Sequence, residues 1–391
     1  MMFCIEARKC RLWSRAVVSA RRGSRRGDRS PGKDPSWPRP QSQTIMKPPP
    51  DLSRRDFLKL SSAGLLGLFL AELRFDQARA SAAGQVRAAF SGIQLFEEPS
   101  FKANPFDIFN RDAVLNVTGQ KDGDFGFGNP YNKTWFKING GYAYSGYFQP
   151  VETNYQEPVY QIPAAGQLGE ITVPLSDARV DSAYWADHAY RLYYRTTHWV
   201  TEVAVNKYEK TIWYKIYDKH LDQSFYVSAQ DMRLVPDSEL TPLSSDVPDQ
   251  DKHIYVDTDA QLVTAFEEDR PVLIARCSSG GKGTRTPPGD YQTFHKGPTI
   301  HMTNDGAPGA GRGYDLPGVP WVSFFTGTGI SFHGTYWHND YGRPRSHGCV
   351  NLSPDDAKFI YRWTSPLVPP GTAYLYEPGS GTKVEVVSAN S

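Results

Sequence analysis

Two short stretches in the last third of the chain hold the residue types of nucleophilic catalysis. Ile330-Ser331-Phe332-His333-Gly334-Thr335 is followed, after an aromatic-rich insert, by Arg345-Ser346-His347-Gly348-Cys349-Val350-Asn351. Cys349 has one histidine sixteen positions before it and a second two positions before it. A free thiol ionises near a pKa of about 8.5, so at neutral pH it needs a base to become a nucleophile. The oxyanion formed by its attack needs backbone or side-chain donors. Gly334 and Gly348 flank the histidine and the thiol, and without side chains they let a substrate come close to the backbone. Two other readings stay open on residue types alone. Cys349 could pair with Cys277 in a disulfide, or His333, His338, His347 and Cys349 could hold zinc.

The elements around these stretches read as short strands. The apolar run ending in Phe332 predicts a strand that carries His333. Ile254–Asp257 and Gln261–Phe266 predict a hairpin, Pro271–Gly280 another strand ending in glycines, and Thr286–Tyr291 a turn into the next. Residues 297–320 are dense in Gly and Pro and predict a long loop over a cleft. Trp321–Phe325 predicts a strand, and Tyr336–Arg345 a loop. After Asn351, Ser353-Pro354-Asp355-Asp356 predicts a capped helix to about Trp363, with Ser353 as N-cap and Pro354 in the first position. A strand near Thr372–Tyr376 and a polar tail, 379–391, follow. Cys277 reads as buried strand filler.

Upstream, residues 81–250 are rich in Tyr, Trp, Val and turn residues and lack helical periodicity. An internal echo marks two units. Trp135-Phe136-Lys137-Ile138 leads to Tyr142–Phe148, and Trp213-Tyr214-Lys215-Ile216 leads to Phe225–Ala229. Residues 241–251 are Pro-, Ser- and Asp-rich and read as a linker.

The 391-residue chain has a net charge of +1, which conceals a division. Residues 1–80 hold 17 of the 43 Lys and Arg and 7 of the 42 Asp and Glu, so the remainder is acidic. An acidic body argues against nucleic acid as partner. Within 46–80, Ser53-Arg54-Arg55-Asp56-Phe57-Leu58-Lys59 precedes the apolar run Leu60–Ala71 and Ala78-Arg79-Ala80. Twin arginines, a short apolar core and a small-x-small site predict a twin-arginine export signal, cleavage after Ala80 and an extracytoplasmic mature protein. Residues 1–45 read as a disordered or mis-annotated leader, with Met46 rather than Met1 as the expected start. Only Cys277 and Cys349 lie beyond the leader, too few for a disulfide framework.

The string His333 … Ser346-His347-Gly348-Cys349-Val350-Asn351 resembles the active-site signature of the L,D-transpeptidase (YkuD-type) family: a histidine, a spacer, Ser/Thr-His-Gly-Cys, an apolar residue, then Asn or Arg. The order hairpin, Ser-x-Gly, Thr-Pro-x-Gly at the start of the segment resembles that family too. The two echoed units resemble bacterial SH3-like modules. The fold implied is mainly β: a YkuD-type β-sandwich catalytic domain over 252–378, preceded by one or two small SH3-like β-barrels at 81–160 and 161–240. The activity implied is an L,D-transpeptidase acting on peptidoglycan stem peptides as donor and amine acceptor, with no metal or organic cofactor required.

The resemblance implies Cys349 as nucleophile, His333 as general base and later acid, and the Gly334 carbonyl as the group orienting His333. It assigns the oxyanion hole to the backbone N–H groups of Gly348 and Cys349. His347, Ser346, Arg345, Asn351, Tyr336 and Trp337 are the candidate substrate contacts, Arg345 for a carboxylate. A papain-like peptidase would place its cysteine far ahead of its histidine, and here the order is reversed. The competing class is a wall-binding protein, non-catalytic or of L,D-carboxypeptidase type, acting mainly through SH3-like modules on glycan.

Overall fold

The computed structural model describes residues 84–125, 129–304 and 313–388; the leader, the export signal and its cleavage site lie outside them. The described residues are mainly β, as the alternating aromatic and β-branched runs predict. None of their helices is long and apolar enough to cross a membrane.

Residues 84–151 form a three-stranded and a five-stranded antiparallel sheet. Val86, Ile93, Leu95, Phe136, Ile138 and Phe148 from both sheets make one core. Residues 167–234 form a seven-stranded antiparallel sheet whose core includes Ile171, Leu192, Val200, Tyr214 and Val227. The sequence echo falls on matching hairpins. Lys137 pairs with Tyr142 in the first and Lys215 with Tyr226 in the second, and Trp135 and Trp213 are both buried. The expected linker is not free chain. Leu243 packs against the core of the C-terminal sheets, and its N–H donates to the Arg362 carbonyl.

From Lys252 onward two five-stranded sheets stack. Numbered from that point, the strands are β1 (Lys252–Asp257), β2 (Leu262–Glu267), β3 (Arg270–Arg276), β4 (Gly289–Gln292), β5 (His295–Thr303), β6 (Asp315–Phe324), β7 (Ser331–Gly334), β8 (Val350–Leu352), β9 (Leu375–Tyr376) and β10 (Lys383–Val387). One sheet runs β3-β2-β1-β10-β4, the other β8-β7-β6-β5-β9. Their facing residues, among them Val256, Val263, Trp321, Phe332, Val350 and Val386, share one core with Ile360 and Trp363 of the helix α1 (Pro354–Trp363). That is a β-sandwich. Ser353 caps α1 as its sequence predicts, accepting the Asp356 N–H.

Two expectations are corrected. Most of 297–320 is not a loop: β5 and β6 form a long antiparallel hairpin, Lys296 opposite Ser323 and Thr303 opposite Asp315. Its glycines and prolines mark close packing. Gly318 has φ +69, and a Cβ there would lie 2.3 Å from the His198 ring of the preceding sheet. Nor is 379–391 simply a polar tail. Lys383–Val387 is β10, parallel to β1 and antiparallel to β4, with Val384 and Val386 in the core. The charged residues of Lys-Val-Glu-Val-Val hide a period-two strand.

Candidate active site

Side chains alternate across a strand, and this alternation builds the site. In the parallel pair β7–β8, Phe332 stands beside Val350 and His333 beside Asn351. Phe332 and Val350 enter the core. Ser331, His333, Cys349 and Asn351 therefore share the opposite face, which puts the histidine and the thiol on one face of neighbouring strands, two register positions apart.

His333 is buried, and its Nδ1 lies 3.1 Å from the Gly334 carbonyl oxygen. A carbonyl only accepts, so Nδ1 carries the proton and Nε2 keeps its lone pair. Burial pulls the His333 pKa down to about 4, against a smaller opposing effect of the Gly334 carbonyl. The imidazole is neutral at neutral pH, as a base must be. Cys349 is half-buried. Burial pushes its thiol up, opposed by donors from Ser331. Its Sγ lies 3.7 Å from Ser331 Oγ and 3.8 Å from the Gly329 carbonyl, both weak contacts.

The turn that carries the thiol is held by its own hydrogen bonds. Ser346 Oγ accepts the Gly348 N–H at 3.0 Å and donates to the Cys349 carbonyl at 2.5 Å. Ser279 O accepts the N–H groups of Arg345 and Ser346, and Thr286 Oγ1 donates to the Gly348 carbonyl at 2.7 Å. Gly348 has φ +124, a conformation L side chains rarely adopt.

Residues 251–386 match the family model of the YkuD L,D-transpeptidase catalytic domain. Solved structures similar to the chain include an L,D-transpeptidase from Mycobacterium smegmatis (26% identity, 35% of this chain, 58% of that one, TM-score 0.29). Others are the C442S mutant of the Enterococcus faecium L,D-transpeptidase (24%, 35% and 50%, TM-score 0.28) and the catalytic domain of the E. faecium enzyme (25%, 35% and 97%, TM-score 0.28). The chain thus spans about half the length of the first two. No curated protein matches it.

Within the YkuD segment the other candidate residues take different positions. The Gly348 N–H, expected in the oxyanion hole, is already used by Ser346. Tyr336, expected at the substrate, is buried instead. Its hydroxyl donates to the Pro317 carbonyl, and its ring stacks on Tyr193 at 5.2 Å. Trp337 lies 5.7 Å from the His333 ring. His347 is exposed beside Tyr314, 5.3 Å between rings. Arg345 donates to Asp340 Oδ2 at 3.1 Å. Asn351 lies 3.1 Å through Nδ2 from His338 Nε2, and its buried Oδ1 has no partner.

Cys277 and Cys349 are both free thiols, which removes the disulfide alternative. Among the described residues no three His, Cys, Asp or Glu gather in a metal-binding arrangement. Sequence reasoning missed the roles of Ser331, Thr286, Tyr314 and Asp340. Ser331 had a signal: it stands two residues before His333 on the same strand. The contacts of the other three are made only by tertiary folding.

Proposed function

We propose that the chain is a cysteine-dependent L,D-transpeptidase of the bacterial wall. The observation that carries this reading is the contact of His333 Nδ1 with the Gly334 carbonyl, on a strand paired in register with the one Cys349 leads into. Rotation of the Cys349 side chain brings its S–H to Nε2 of His333, which takes the proton. The sulfur attacks the carbonyl between the L-centre of a stem-peptide diamino acid and the following D-residue. The C–N bond breaks, His333 returns its proton to the leaving D-residue, and a thioester remains. An amine of a second stem peptide attacks the thioester, and its proton passes through His333 to the departing thiolate.

With the Gly348 N–H engaged by Ser346, the oxyanion falls to the Cys349 N–H. Trp337 walls the base, and the free edge of Arg345 meets the terminal carboxylate of the donor peptide. His347, Ser346 and Asn351 shape the rim and floor of the cleft. The protein acts after export, in the periplasm or cell wall, on peptidoglycan, and the SH3-like modules contact the wall. The test is release of the D-residue from a tetrapeptide donor with formation of a cross-linked product. The wild type turns over and Cys349→Ala does not; equal release by both proteins overturns the reading.

A further inference from the structure

The loop Tyr336–Pro344 joins the strand of His333 to the turn of Cys349, and residues 84–151 grip it at several points. Asp340, at its centre, has a fully buried side chain. Its Oδ1 accepts the Tyr144 hydroxyl at 2.9 Å and the Asn129 Nδ2 at 2.7 Å. Asn129 Nδ2 also donates to the Tyr341 carbonyl at 3.1 Å. The Gly146 carbonyl accepts the Asn339 N–H at 3.3 Å, and a Cβ on Gly146 would lie 2.8 Å from Asp340 Oδ1. Arg87, buried and paired with Asp112 and Gln149, donates to the Tyr336 carbonyl at 2.6 Å.

The other oxygen of Asp340 holds the arginines that lead into the turn of Cys349. Oδ2 accepts Arg345 Nη1 at 3.1 Å, with Arg343 Nη1 at 3.9 Å. The Asp340 N–H donates to His338 Nδ1, and His338 Nε2 meets Asn351, the register partner of His333. A buried carboxylate is costly unless every acceptor is used, and here the donors come from two distant parts of the chain. Arg345 is still 26% exposed, and beyond Asp340 its guanidinium has no partner among the described residues.

We infer that residues 84–151 are a positioning part of the reaction centre: Tyr144 and Asn129 fix Asp340, and Asp340 aims Arg345 at the carboxylate of the donor peptide. This rests on the acyl-transfer reading above. It gives the N-terminal sheets an intramolecular role separate from any contact with glycan. Tyr144, Asn129 and Asp340 are positioning residues, since none is placed on substrate.

The experiment uses the full chain and two donor tetrapeptides, one ending in a free carboxylate and one in an amide. The wild type prefers the carboxylate by about tenfold in kcat/KM, the size expected of one charge-assisted contact. Tyr144→Phe and Asp340→Asn lose most of that preference through a raised KM for the carboxylate peptide, with the amide peptide little changed. Tyr142→Phe, on the same strand but away from Asp340, keeps it. A ratio unchanged in Tyr144→Phe and Asp340→Asn overturns the inference, as does an equal loss on both peptides with a lowered Tm. A wild type that turns over both peptides equally overturns the role of Arg345 and the inference with it. No turnover of either peptide overturns the transpeptidase reading itself.

Discussion

Gly348 decides where the thiol sits. Its φ of +124 lets the chain reverse between His347 and Cys349, and a Cβ there would also press on Ile330 at 3.3 Å. Gly348→Ala is expected to cost about 1–3 kcal/mol of stability. It should also slow acylation of Cys349, because the turn that aims the sulfur must shift. Denaturant unfolding together with an acylation time course checks this; wild-type values for both would contradict it. At this scale the sequence was most legible. The types and order of His333, Gly334, Ser346, Gly348 and Cys349 are local, and His333 Nδ1 lies 3.1 Å from the carbonyl of Gly334, the residue the resemblance names. The engagement of the Gly348 N–H by Ser346 and the burial of Tyr336 under Tyr193 were missed. The stack of Tyr336 on Tyr193 joins residues far apart in the chain, which spacing does not encode, whereas the Ser346–Gly348 bond is a local serine turn whose signal was overlooked.

The elements place the site through strand order more than through strand length. β7 and β8 are only four and three residues long, yet their parallel register sets which side chains share a face. Segment 278–281 zips along the same turn, with Ser278 and Asn351 exchanging N–H···O bonds at 2.9 and 3.0 Å. The hairpin β1–β2, the cap of α1 and the strand of His333 could all be read from alternation, turn residues and the Ser-Pro-Asp-Asp cap. β10 could not, because its importance comes from its place between β1 and β4, contacts that only the folded chain makes. A chain ending at Pro378 exposes both neighbours of β10 and removes Val384 and Val386 from the core. It is expected to lose cooperative unfolding and to aggregate on expression. A truncated protein with a sharp melting transition would show that β10 is dispensable.

Across the whole molecule, buried histidines tie stability to pH. Burial holds His333 and His295 down to about 4 and His198 to about 3, and depresses His338 as well. Each binds its proton more readily in the unfolded chain, so its contribution is complete above about pH 6.5 and is lost as pH falls through the folded value. For His333 alone the loss by pH 4 is on the order of 3 kcal/mol. His301, between Asp218 and Asp315, and Asp356, raised to about 6, act in the opposite sense but are fewer. The unfolding midpoint should therefore drop between pH 6.5 and 4, and a flat or rising midpoint in that window contradicts the assignment of His198, His333 and His338 as buried and neutral. The three sheet systems are joined by such contacts. Thr197 Oγ1 donates to the Pro298 carbonyl of the β5–β6 hairpin at 2.7 Å, and Arg87 holds the carbonyl of Tyr336. The sequence marked these regions as separate units; their mutual burial of polar groups was visible only in the folded chain.

The central claim is that Cys349 is an activated thiol in an acyl-accepting cleft, with His333 as its base. Intact-protein mass after incubation of residues 81–391 with a carbapenem tests it most directly, beside Cys349→Ala and Cys277→Ala. A single stoichiometric adduct on the wild type and on Cys277→Ala, absent from Cys349→Ala, is the expected result. An unmodified wild type, or an adduct that persists in Cys349→Ala, would contradict it.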